Sequence, residues 1–100
     1  VYDAENGRIS MCLLGDTMLS RSLRPFQEPH YLELLKALRE ADVTFANLET
    51  TVRHADEGLA NFTQGTPMST PPALLEDLKW MGIDVVSVAN NHATDYGPTG

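Results

Sequence analysis

Five side chains carry most of this sequence's capacity for chemistry: Asp16, Glu49, Asn91, His92 and Asp95. Carboxylates and an amide oxygen are hard donors for a divalent cation. A neutral imidazole either ligates a metal or moves a proton near neutral pH. Asp95 stands three residues after His92, a spacing that lets its carboxylate take a hydrogen bond from the imidazole and orient it. Each residue also has a plainer role open to it. Asp16 suits a turn or a helix N-cap. Glu49 could pair with a distant arginine or open a capped turn with Thr50 and Thr51. Asn91 suits a left-handed turn position, although a turn explains the neighbouring His92 poorly. An unpaired carboxylate is costly to bury, so Glu49 is hard to read as core.

These residues belong together only if the fold brings them together, and the hydrophobic pattern says how. Residues 8–14 form a short apolar run ending at Gly15-Asp16, which reads as a strand and turn. Residues 27–39 carry Tyr31, Leu34, Leu35 and Leu38 at helical spacing, with Pro29 in the first turn and Lys36 and Arg39 near the end. Residues 43–48 read as a second strand, ending at Asn47 and Glu49. Residues 53–72 show no period and read as a long excursion loop. Leu74, Leu75, Leu78 and Met81 mark a second helix over 72–81, stopped by Gly82. Residues 84–89 form the strongest strand, expected to be buried on both faces, and Asn90-Asn91-His92 follows it.

The order is therefore β-α-β-α-β, whose strands lie parallel with right-handed crossovers. In parallel α/β sheets the C-terminal strand ends share one edge, and ligands bind there. Asp16, Asn47, Glu49, Asn91 and His92 all fall at that edge. Three parallel strands and two helices leave part of their sheet uncovered. The expectation is thus an N-terminal fragment, residues 1–100, of a longer domain, with another helix beginning near residue 100. Such a piece would expose an apolar edge and be inactive alone.

Bulk properties remove several classes. A hydrophobic fraction of 42% with 21% charged residues fits a folded chain rather than a disordered one. The net charge of −7 repels phosphate backbones, so nucleic acid is not an expected partner. A single cysteine, Cys12, rules out an intrachain disulfide and a thiolate zinc cluster; Cys12 reads as a small core residue. No run approaches the roughly 20 apolar residues of a membrane span. No glycine-rich phosphate loop follows the first strand, which weakens a nucleotide-binding reading. His30, His54, Met18 and Trp80 read as surface or packing residues.

Three segments together resemble a known family. Gly15-Asp16-Thr17-Met18-Leu19-Ser20-Arg21 is similar to its opening Gly-Asp-x-Met-Leu-x-Arg motif. Residues 42–49, with Asn47-Leu48-Glu49, match its Asp-x-x-x-x-Asn-Leu-Glu segment. Ala89-Asn90-Asn91-His92-Ala93-Thr94-Asp95-Tyr96-Gly97 matches its third motif. This is the capsule-synthesis family that includes the CapA and PgsA proteins linked to poly-γ-glutamate, itself similar to calcineurin-like metallophosphoesterases. The resemblance implies an α/β fold, here the first part of a metallophosphatase-like αββα sandwich. It implies one or two divalent ions (Mn, Zn, Fe or Mg) held by Asp16, Glu49 and Asn91, with His92 as general acid and Asp95 tuning it. Arg21, Asn47 and Asn90 are the expected substrate contacts. The motifs depart from the phosphoesterase pattern. Met18 stands where a histidine is usual, Glu49 replaces an aspartate, Asn90 a glycine, and Ala93 follows His92.

What this implies is a metal-dependent hydrolase acting on an anionic small molecule or polymer, either a phosphoester or a polyglutamate-like amide. The rival is a non-catalytic assembly or polymer-binding factor of a membrane-associated capsule export complex. Oligomeric state, metal identity and compartment stay open at this stage.

Overall fold

A computed structural model describes residues 6–60 and 65–97. The elements in chain order are β1 (Met11–Thr17), α1 (Pro29–Glu40), β2 (Val43–Leu48), β3 (Thr51–Val52), β4 (Ser69–Thr70), α2 (Leu75–Met81) and β5 (Val85–Ser87). A single 3-10 turn, Pro72–Leu74, leads into α2. The expected helix near residue 100 lies outside the described residues.

Strands β1, β2 and β5 form a parallel sheet in the order β1-β2-β5, as the β-α-β-α-β pattern requires. Residues paired across a parallel sheet share a face, so the register assigns the two faces. Thr44, Ala46 and Leu48 of β2 are buried on one side. There Ala46 and Leu48 pack with Leu19, Leu78 and Ile83, backed by Leu14, Leu74 and Val86. Leu35 and Leu38 of α1 are each 2% exposed, and burial of a leucine is worth about 1.5–3 kcal/mol. The Thr44 hydroxyl donates to the Leu38 carbonyl at 2.8 Å, tying the end of α1 to the central strand.

The other face differs from expectation. Leu13, Phe45 and Val85 are paired across the sheet, yet Leu13 is 72% and Val85 49% exposed. The third strand is therefore not buried on both faces, because the described residues supply a helical layer on one side only. A parallel sheet covered on one face is the arrangement of a partial α/β domain.

Three local expectations are corrected. The first strand runs on through Gly15 and Asp16 instead of ending before them, because β1 continues to pair with β2. Its register carries a bulge: Leu13 pairs with Phe45, but Asp16 pairs with Asn47, so β1 has one extra residue. The segment 53–72 is not structureless throughout, since Ser69–Thr70 returns to pair in parallel with Thr51–Val52. Cys12 is only half-buried, with its Sγ 3.9 Å from the Ala37 carbonyl.

The helix packing has tight points. Gly82 closes α2 at φ 98°, in the left-handed region that favours glycine. A Cβ there would lie 2.8 Å from Arg39 Cγ and 3.2 Å from the Arg39 amide nitrogen. That arginine is itself held, donating to the Trp80 carbonyl and lying 4.6 Å from the Trp80 ring centroid. Arg24 reaches the same helix through its ion pair with buried Asp77 at 2.8 Å. Gly82→Ala should therefore destabilise the intact protein by about 1–3 kcal/mol. The measurement is the urea midpoint at unchanged m-value, and a wild-type midpoint would contradict the steric argument.

Candidate functional site

The bulge in β1 decides where Asp16 points. In unbroken register Asp16 would fall opposite Leu48, on the helix-covered face. The extra residue brings it opposite Asn47 instead, and bulges near binding sites commonly re-aim a side chain in this way. The Asn47 amide then donates to Asp16 Oδ1 at 2.8 Å. Glu49, two residues beyond Asn47, continues the same face, and its amide bonds to the Thr17 carbonyl at 3.1 Å past the formal end of β2.

From the third strand, Asn90 reaches back across the edge. Its amide nitrogen donates to the Leu48 carbonyl at 2.8 Å and to Asn47 Oδ1 at 3.2 Å, while its own oxygen accepts from the His92 amide at 3.0 Å. Both ends of the Asn90 side chain, and both ends of Asn47, are thus engaged within the protein. Asn47 and Asn90 together form a clasp that holds Asp16 and the His92 backbone in place.

His92 sits between two carboxyl groups. Its Nδ1 lies 2.7 Å from Asp95 Oδ2, and its Nε2 lies 3.8 Å from Glu49 Oε1. Asp95 is buried, and its Oδ2 also accepts from the Met68 amide at 2.7 Å. The His92 and Glu49 side chains are 14% and 16% exposed, open enough for a ligand to reach them. Asp16, Glu49, His92 and Asp95 are thereby brought into one connected row.

Two expected residues stand apart. Asn91 is exposed, and no hydrogen bond ties its side chain to the row among the described residues. Arg21 is also exposed, with its guanidinium 5.7 Å from the Phe26 ring centroid. Thr51 is the group that the sequence did not single out: its hydroxyl donates to the His92 carbonyl at 2.7 Å. A threonine in a two-residue strand has no periodicity to reveal it.

The carboxyl pair is polarised. Hydrogen bonding from Asn47, then from Glu49, holds the Asp16 carboxyl below its ordinary value. The hydrogen bond to Asp16 pushes Glu49 above its ordinary value; burial and the Asp16 charge add to this, and His92 opposes it. As pH rises, Asp16 therefore gives up its proton before Glu49 does.

Among the described residues, no group of three His, Cys, Asp or Glu side chains is placed to hold a metal ion. A zinc cage of three or four protein side chains is therefore not complete among the described residues. Asp16 and Glu49 fit a narrower demand. Magnesium-like cations are bound through one or two carboxylates and complete their shell with water and substrate oxygens.

Known proteins resemble this chain in sequence. The family model for the bacterial capsule synthesis protein PGA_cap matches residues 10–100. Uncharacterized proteins y4sH and y4uA of Sinorhizobium fredii are each 35% identical to this chain, over 91% of it and 20% of their own length. Capsule biosynthesis protein CapA of Bacillus anthracis is 26% identical, over 100% of this chain and 26% of its own. The chain thus spans a fifth to a quarter of the length of these curated relatives.

The carboxyl pair generates a pH signature. A raised Glu49 contributes stability that is fully present below its unfolded value of 4.5 and is lost as pH rises through its folded value. Glu49→Gln keeps a hydrogen-bond donor for Asp16 and removes that loss. The variant should gain stability relative to wild type as pH rises above 4.5 toward neutrality. Urea midpoints across that range measure it, and a parallel pair of curves would contradict the upward shift of Glu49.

Proposed function

Since this chain belongs to the bacterial capsule synthesis protein family PGA_cap, we propose that its strand-end row is part of a metal-dependent hydrolytic site. The substrate class is an anionic phosphoester or a polyglutamate-like amide. The observation that carries the reading is the placement of His92, fixed by Asp95 at 2.7 Å and facing Glu49 at 3.8 Å, beside a second carboxylate.

Each residue then has a task. Asp16 and Glu49 offer two hard oxygen donors to a magnesium-like or manganese-like cation. A bound cation would polarise a substrate oxygen and ease attack by water. His92 takes up the proton released by the attacking water at Nε2, the ring nitrogen not spent on Asp95, and passes it to the leaving group. Asp95 fixes the ring's orientation through Nδ1. Asn47 and Asn90 hold the carboxylate and the histidine backbone at their working separation, because catalytic geometry tolerates little displacement.

The rival reading is a non-catalytic assembly factor of a membrane-associated capsule complex, in which the same edge takes part in binding without turnover.

Three substitutions separate the two. In the intact protein, Asp16→Asn and Glu49→Gln should each weaken magnesium or manganese binding measured by calorimetry. His92→Gln should leave cation binding intact and lower hydrolysis of phosphoester or γ-glutamyl substrates on the order of 100-fold or more. A protein that binds neither cation, or hydrolysis indifferent to His92, would sink the enzymatic reading.

A further inference from the structure

Thr51, Met68, Asp95 and His92 close a ring of hydrogen bonds. The Thr51 hydroxyl donates to the His92 carbonyl at 2.7 Å, and the Thr51 amide donates to the Met68 carbonyl at 3.1 Å. The Met68 amide donates to Asp95 Oδ2 at 2.7 Å, and the same oxygen lies 2.7 Å from His92 Nδ1. The ring joins three segments far apart in sequence, and both Thr51 and Asp95 are under 10% exposed, at 6% and 7%.

The ring dictates a tautomer. An ionised carboxylate only accepts hydrogen bonds, so His92 Nδ1 must carry the hydrogen that faces Asp95. Nε2 is left facing Glu49 at 3.8 Å, beyond hydrogen-bond length. The unspent nitrogen is therefore presented at the carboxylate edge, and the paired β3–β4 ribbon holds it there.

We propose that Thr51 is a positioning residue for His92. Its hydroxyl anchors the histidine backbone. Its amide bond to Met68 holds the second donor that fixes Asp95. The inference rests on the reading that His92 Nε2 exchanges a proton with substrate. The device itself can be observed without turnover.

The test uses ring-nitrogen correlation spectra of histidine in the intact protein at neutral pH, with the His92 signal assigned by its loss in His92→Gln. Wild type should show the Nδ1–H tautomer and a slowly exchanging Met68 amide. Thr51→Val should mix the tautomers and speed Met68 exchange by about tenfold or more, and Thr51→Ser should restore both. Where hydrolysis is measurable, Thr51→Val should lower kcat by about tenfold with KM nearly unchanged. A valine variant with the wild-type ring signature overturns the proposal. Should that variant fail to fold, wild type decides: a rapidly exchanging Met68 amide or an Nε2–H tautomer overturns it equally. A wild-type protein with the expected signature and no hydrolysis would remove the enzymatic reading and leave the positioning role standing.

Discussion

Parallel pairing of β1, β2 and β5 brings three strand ends to one edge, and every polar contact of the site is built on that alignment. Strand register is an all-or-none constraint, because a shift of one residue turns a side chain to the opposite face. Asp16 shows the consequence. It meets Asn47 only because β1 carries one more residue than β2 between Leu13 and Asp16. Without that residue its carboxylate would be driven toward the packed side, where Leu14, Ala46 and Leu48 leave no partner for a charge. The irregularity in the strand is thus the condition for the site.

The amides make the alignment stiff. A buried or half-buried polar network holds together best when each member has a partner, and partial satisfaction is costly. Here Asn90 bonds to Asn47 and the Leu48 carbonyl, Asn47 passes the link to Asp16, and Asp16 is hydrogen-bonded to Glu49. His92 closes the row against Asp95. Three carboxyl groups are tolerated within this small region for physical reasons. Glu49 is made harder to ionise by Asp16, Asp16 is fixed by an amide donor, and Asp95 is hydrogen-bonded to an imidazole.

The sequence made the outline of this arrangement legible and hid its joints. Helical spacing marked Leu35, Leu38, Leu78 and Met81, which are buried, but also Leu34 and Leu75, which are 47% and 40% exposed. The polar residues that terminate apolar runs marked Asp16, Glu49 and His92, and the interval to Asp95 allowed the hydrogen bond that is present. The bulge left no trace, since an extra residue in a strand changes register without changing composition. Strands of two residues, such as β3 and β4, have too few positions for alternation, so the ribbon behind His92 was invisible. Asn90 and Asn91 are chemically identical in sequence, and only the fold shows that the first is locked into the edge and the second exposed. Arg21 follows Gly15-Asp16 closely in sequence, but its cation lies against Phe26.

The exposed apolar face and the carboxylate edge are continuous, and this couples stability to chemistry. Leu13, Phe45 and Val85 lie in one row across the sheet, and Asp16 and Asn47 are paired further along the same face. Any layer that covers that row gains roughly 25 cal/mol for each Å² of apolar surface removed from water. The same layer would roof the carboxylates and lower the dielectric around them. Charge interactions strengthen steeply as water is excluded. A cation bound to Asp16 and Glu49, or a proton held at His92 Nε2, would then interact more strongly with a substrate than it does at an open edge. Covering the hydrophobic face and drying the polar rim would therefore be two effects of one packing event.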